Sequence, residues 1–159
     1  DLKGWLTLKA MPADSLKQVR NMLTQKVIGY QSESVTKVSI KGDCYAGLFC
    51  SGKQFCGVGL CKDGVFTEFG GQRKLVNKGS YKELWLKVTN DCELNRHLFY
   101  YSIDGQHYLS AGTAFNMRGG YWKGIRVGLF DYIPTGETSA KSQTSSYAQF
   151  DYFNQKFAQ

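Results

Sequence analysis

Three kinds of side chain in this sequence could do chemistry: tryptophans set among polar residues, scattered carboxylates, and five cysteines with two histidines. Trp85 lies in KELWLKVT, where Leu84, Leu86 and Val88 alternate with Glu83, Trp85, Lys87 and Thr89. A period of two marks a strand with one buried and one wet face, and it puts the indole on the wet side. Trp5 has the same character in GWLTLKA, with Leu6, Leu8 and Ala10 expected inward and Trp5, Thr7 and Lys9 outward. Flat rings displayed among polar groups can stack on the C–H faces of pyranose sugars, while amide and guanidinium groups bond the hydroxyls. Arg20, Asn21 and Gln25 are the candidate polar partners, and Tyr121-Trp122, at a glycine-flanked loop, adds two further candidate rings. The competing structural reading has Trp5 and Trp85 covered by another sheet or by a partner domain.

The carboxylates do not form a catalytic set. A sandwich hydrolase would carry closely spaced acids on one strand, E-x-D-x-x-E, with an acid and a nucleophile ~5 Å apart. The nearest acidic neighbours here, Asp91 and Glu93, flank a turn. His97 and His107 have no nucleophile motif beside them, and neither a phosphate-cradling glycine loop nor H-E-x-x-H occurs. Catalysis by this segment is therefore not expected. Asp151 could be a calcium ligand, but calcium takes six to eight oxygens and one carboxylate is thin support. A cap or turn role is expected for it, and no cofactor.

Cys44, Cys50, Cys56, Cys61 and Cys92 are odd in number and contain no C-x-x-C pair, so zinc-site spacing is missing. The first four sit in glycine-rich, strand-like stretches where a free thiol packs as a small hydrophobe. One disulfide among them stays open, and so does the compartment, with a secreted or periplasmic setting favoured. The net charge of +7 comes from lysines spread singly rather than from a basic stripe, so a solvated surface is expected and no nucleic-acid partner. No apolar run is long enough to cross a bilayer as a helix, and no membrane partner is expected.

The elements that must position these residues read as strands. Ten Tyr, ten Phe and eighteen Gly with only two Pro favour many short strands and glycine turns, an all-β sandwich in one domain, 1–159. A central meander is predicted from Lys82–Thr89, Arg96–Ile103 and Gln106–Leu109, with Phe99, Tyr101 and Ile103 on one face and Asp104-Gly105 closing a tight hairpin. Before it come Gly4–Ala10, a loop at Met11–Leu16, a short strand at Arg20–Val27, Glu33–Lys41, a hairpin of Tyr45–Ser51 and Gln54–Cys61, then Val65–Phe69 and Arg73–Asn77. Gly47, Gly57 and Gly59 are expected where a backbone or ring comes close. After it come Phe115–Tyr121 and Gly124–Tyr132, with Ile125, Val127 and Leu129 inward and Phe130 and Tyr132 facing away. A polar loop at Pro134–Ser146 precedes Tyr147–Phe157, where Phe150 and Tyr152 share one face and Asp151 and Phe153 the other. The total is about twelve strands and no helix. The start at Asp1, with neither Met nor a signal pattern, is read as a module cut from a longer protein.

In order along the chain, Gly4-Trp5-Leu6 with Leu8, Arg20-Asn21 with Leu23-Thr24-Gln25, Tyr45-Ala46-Gly47-Leu48, Tyr101-Ser102 with Asp104-Gly105, Arg126 with Gly128-Leu129-Phe130, and Ala148 with Phe150-Asp151 and Phe153 form a recognisable series. With them the sequence resembles the C-terminal β-sandwich module of family 43 glycoside hydrolases, the β-xylosidase and α-L-arabinofuranosidase group. The resemblance runs over nearly the whole chain, although Val19 stands where that family usually has Ala. It implies a concanavalin A-like jelly roll of two antiparallel sheets lying against a catalytic β-propeller of the parent chain, which does the hydrolysis. It also implies a non-catalytic module that binds plant cell-wall xylan or arabinoxylan through surface aromatics, or else a structural clamp on the propeller without sugar affinity. In some relatives an aromatic residue on a sandwich loop reaches the propeller's active site; the comparable Met11–Leu16 has none. Two further departures are a missing strand ahead of Gly4 and a longer polar loop at Pro134–Ser146.

Overall fold

The computed structural model describes residues 3–112, 114–116, 124–136 and 145–157. Its strands are β1 (Leu6–Lys9), β2 (Met11–Pro12), β3 (Met22–Lys26), β4 (Gln31–Lys41), β5 (Tyr45–Ser51), β6 (Phe55–Cys61), β7 (Gly64–Phe69), β8 (Gln72–Lys78), β9 (Leu84–Asp91), β10 (Arg96–Ser102), β11 (Leu109–Ser110), β12 (Phe115–Asn116), β13 (Arg126–Ile133) and β14 (Tyr147–Phe157). A 3-10 turn, Leu16–Gln18, follows β2. One sheet runs β1-β14-β4-β9-β10-β11, with β12 also on β10. The other runs β2-β13-β5-β6-β7-β8, with β3 also on β13. Every pairing is antiparallel except the short β2–β13 contact. This is the two-sheet, concanavalin A-like sandwich that the sequence implies.

The alternating residues of the two inner faces make the main core. Val38, Leu84, Leu86, Val88, Phe99, Tyr101, Ala148 and Phe150 of the first sheet meet Ala46, Leu48, Cys50, Cys56, Val58, Leu60, Val65, Val127 and Leu129 of the second. Each such large side chain removed from water contributes about 1.5–3 kcal/mol, which is why one face of every strand is spent this way. Gly59 shows what the close approach requires: a Cβ there would come within 2.4 Å of the Ala46 carbonyl oxygen and 2.7 Å of the Phe66 ring.

Several sequence expectations are corrected, each for a tertiary reason. Phe130 and Tyr132 do point away from the main core, but they are buried. The segment carrying Ala13, Leu16 and Val19 folds over the outer face of the second sheet and makes a second core with Phe49, Phe66, Phe130 and Tyr132. The expected loop Met11–Leu16 therefore holds β2 and the start of the 3-10 turn. Buried Glu68 fastens this cover: one carboxylate oxygen accepts the Leu16 N–H at 2.7 Å, and the other accepts the Tyr132 hydroxyl. Arg73 in turn donates to the Tyr132 oxygen at 3.1 Å. A buried charge is tolerated where such donors replace its water.

Phe153 joins Phe150 on the inner side, because a bulge between Phe150 and Phe153 adds one residue and reverses the alternation. Tyr152 is thereby released from that face. Leu6, expected inward, is 39% exposed, since β1 is an edge strand at the mouth of the sandwich. Ile103 is 51% exposed, because β10 ends at Ser102. The tight Asp104-Gly105 hairpin is instead a longer loop, with Tyr101 pairing Leu109 and only two residues in the return strand. Its hub is the Asp104 carboxylate, which accepts from the Gln106 and His107 N–H groups at 2.8 Å each and from Ser102 Oγ at 2.9 Å. Of the predicted strand Phe115–Tyr121, the described residues Phe115–Asn116 form β12. Residues 117–123 and 137–144, which include Tyr121, Trp122 and most of the polar loop, lie outside the described residues.

Candidate aromatic face

Two of the four predicted aromatic residues, Trp5 and Trp85, lie against one lysine. On the outer face of the first sheet, Lys37 of β4 sits opposite Trp85 of β9, and Ser102 of β10 lies on Trp85's other side. Lys37 Nζ lies over both indoles, 5.1 Å from the Trp5 ring centre and 4.7 Å from that of Trp85. The same ammonium pairs with Glu83 at 2.7 Å. An ammonium over an indole face is worth about 0.5–2 kcal/mol according to its exposure, so the lysine holds the two rings in one array.

Trp85 is fixed from several sides. Gly105 lies against the indole so closely that a Cβ would come within 2.8 Å of Cε2. The Trp85 indole N–H faces the Tyr152 hydroxyl, the group freed by the β14 bulge. One residue pair further along the strands, Lys87 Nζ lies 5.1 Å from the Tyr100 ring and 4.3 Å from the Tyr108 ring. Lys87 is 3.7 Å from Glu33. The Tyr108 phenol is pushed up to about 12, first by burial and then by the negative charge of neighbours. At neutral pH it therefore remains a hydroxyl donor. The face is a row of partly covered rings with ammonium and hydroxyl donors between them. Such a surface can stack a sugar ring and bond its hydroxyls, and its two carboxylates, Glu33 and Glu83, are already engaged by lysines.

The polar residues singled out from sequence lie elsewhere. Arg20 is exposed ahead of β3, and Asn21 donates from its amide to the Lys9 carbonyl. Gln25 lies on β3, in a crevice at the open edge between the sheets with Leu6, Leu23, Val127, Leu129 and Phe153. Among the described residues, no hydrogen bond, ion pair or ring contact joins any of the three to Trp5, Lys37 or Trp85. Of the residues that do complete the array, Lys37, Lys87 and Tyr100 carried only one signal, their outward phase on alternating strands, while Tyr108 lies in the loop before β11 and Tyr152 shared Phe150's phase until the bulge displaced it. The strand partnering that juxtaposes them is not written locally.

The cysteines fill packing space: Cys44, Cys50, Cys56 and Cys61 are buried, and no disulfide joins any two of the five. His97 is a core residue whose Nδ1 bonds Asn90 Oδ1 at 2.6 Å, and burial holds it down at about 4. Asp151 is exposed on the bulge, and no cluster of three or more His, Cys, Asp or Glu suited to a metal occurs among the described residues.

Two largely antiparallel sheets packed face to face, with an aromatic row on the outer face of the first, make a concanavalin A-like sandwich. The chain belongs to the family described as the beta xylosidase C-terminal concanavalin A-like domain, which matches residues 1–156. It is 84% identical over 128 residues to a protein of Xylanibacter ruminicola named "Putative beta-xylosidase". That match covers 80% of this chain and 25% of the relative. Among solved structures it superposes on the bifunctional GH43-CE of Bacteroides eggerthii with a TM-score of 0.79 at 26% identity, covering 97% of this chain and 22% of that one. A GH43 glycoside hydrolase with both endo-xylanase and exo-arabinofuranosidase activity, made by engineering its active site, shares the fold at a TM-score of 0.75 and 20% identity, over 96% of this chain and 34% of that one. In GH43 enzymes this domain is the C-terminal accessory part, and catalytic activity resides in a separate N-terminal propeller domain.

Proposed function

We propose that this chain is a carbohydrate-binding accessory module of a xylan- or arabinoxylan-degrading glycoside hydrolase, of the β-xylosidase or α-L-arabinofuranosidase type. It binds the polysaccharide on the outer face of the first sheet and keeps the parent enzyme's propeller near its substrate. The observation that carries this reading is the convergence of Trp5 and Trp85, far apart in sequence, on one half-open face with Lys37 between them. A pyranose stacking on Trp5 would displace the ammonium from that ring only, leaving the Lys37–Glu83 pair to bond a hydroxyl. Weak affinity suffices, because tethering raises the effective concentration of catalytic domain at the polymer.

A second reading has one specific observation behind it. Leu6 and Leu23, 39% and 49% exposed, open an apolar crevice at the sheet edge with Val127, Leu129 and Phe153 beneath. A clamp covering that crevice with the parent's propeller would need no sugar. Calorimetric titration of the chain with xylan and xylo-oligosaccharides, beside Trp5→Ala and Trp85→Ala, decides between them. Heat that disappears in a tryptophan variant supports the binding module. No heat with any xylan or arabinoxylan refutes it and leaves the clamp.

A further inference from the structure

The outer face of the first sheet continues past the rings. In register across β4, β9 and β10 it carries four successive rows: Lys37–Trp85–Ser102, Val35–Lys87–Tyr100, Glu33–Thr89–Leu98 and Gln31–Asp91–Arg96. The last two rows, with Lys156 of β14 beside Glu33, line a depression of about 400 Å³. Thr89 lies four steps along the strand from Trp85, so the depression begins about 13 Å along β9 from Trp85 at ~3.3 Å per strand residue. That is the length of a short oligosaccharide rather than of one ring.

The lining has a definite chemistry. Two carboxylates (Glu33, which also faces Lys87, and Asp91, which also accepts the Leu94 N–H) and two cations (Arg96 and Lys156) line it, and Leu98 supplies an apolar floor. The Arg96 Nε is shut off from solvent with no hydrogen-bond partner among the described residues, a donor whose cost is unmet until an acceptor arrives. Carboxylates accept sugar hydroxyls and guanidinium donates to them, so adjacent hydroxyls of one pyranose find both kinds of partner. An acidic sugar would bring its own carboxylate against Glu33 or Asp91.

We infer that this depression is a second sugar subsite, taking a neutral pyranose unit of a xylan-type oligosaccharide whose other end stacks on the tryptophan row. The inference rests on the sugar-binding reading and deepens it. The ligand spans the face along the strands, aromatic row at one end and polar depression at the other.

The test is calorimetric titration of the chain with xylobiose, xylotetraose and a glucuronate-substituted xylo-oligosaccharide, on wild type, Arg96→Ala, Gln31→Ala and Trp5→Ala. Gln31 is exposed and tests the site without disturbing a buried group. Expected are tighter binding of xylotetraose than of xylobiose, a loss of about tenfold for xylotetraose in Arg96→Ala, a smaller loss in Gln31→Ala, and xylobiose binding unchanged in both. Equal affinity for the two lengths, or wild-type xylotetraose binding in both depression variants while Trp5→Ala abolishes it, overturns the subsite and leaves the tryptophan row standing. Preference for the acidic oligosaccharide overturns the neutral assignment. No binding of any ligand by wild type overturns both readings.

Discussion

Replacing Asp131 by Asn should remove a pH dependence of stability that the fold builds into β13. Asp131 is fully buried. One of its oxygens accepts the Ala148 N–H at 2.9 Å, and the other has no hydrogen-bond partner among the described residues, with the weakly donating Cys44 thiol nearby. Burial raises its ionisation to about 8, against 3.8 for a free carboxyl, and these contacts offset the burial only in part. The folded state thus holds a proton that the unfolded state has lost. Stability is full below the unfolded value and falls as pH rises through the folded one, a window from about 4 to about 8, at up to about 1.4 kcal/mol per pH unit. His97 acts in the opposite sense. Its folded value of about 4 lies below the free 6.5, so its contribution is present above 6.5 and is lost as pH falls from there. The two overlap between about 4 and 6.5, and Asp131 acts without His97 between about 6.5 and 8, where the expected loss is about 2 kcal/mol. Urea unfolding of wild type and Asp131→Asn at pH 6.5, 7.25 and 8 measures it. The midpoints should draw apart in favour of Asn as pH rises. Parallel profiles over that range would refute the assignment of a protonated, buried carboxyl.

Other consequences are equally concrete. Glu68→Gln turns an amide donor toward either the Leu16 N–H or the Tyr132 hydroxyl, and should cost about 1–3 kcal/mol and speed hydrogen exchange at the Leu16 amide; unchanged exchange would mean that Glu68 does not hold the cover over the second core. Gly59→Ala presses a methyl onto the Ala46 carbonyl and the Phe66 ring between two neighbouring strands, and a loss of at least about 1–3 kcal/mol is expected from urea unfolding. In the native protein a thiol reagent should modify Cys92 alone, with all five cysteines reacting after denaturation. Burial raises the thiols of Cys44 and Cys50 and takes Cys56 to about 12, which removes the reactive thiolate; more than one fast thiol in a mass spectrum of native protein would contradict this packing.

Local pattern determined a good deal. Alternation identified the strand through Trp85 and the outward phase of both Trp5 and Trp85, since a pleated strand turns successive side chains to opposite faces whatever surrounds it. Glycine clusters located the close approaches at Gly47, Gly57 and Gly59, and the thiols read correctly as small buried groups. The all-β class and the family followed from the same residues. What alternation could not carry was anything requiring a count of who lies opposite. The extra residue at the β14 bulge reverses the phase beyond it, moving Phe153 into the core and Tyr152 onto the aromatic face. The cover over Phe130 and Tyr132 comes from residues more than a hundred positions earlier, so an outward phase there became a second core. Leu6 kept an inward phase but lost its cover, because an edge strand at the sandwich mouth has no neighbour on one side. The array around Lys37 and the depression beside Arg96 exist only through the β4–β9–β10 register. Cross-strand neighbours are set by long-range pairing, which the packing of both sheets chooses together, and no stretch of sequence specifies it alone.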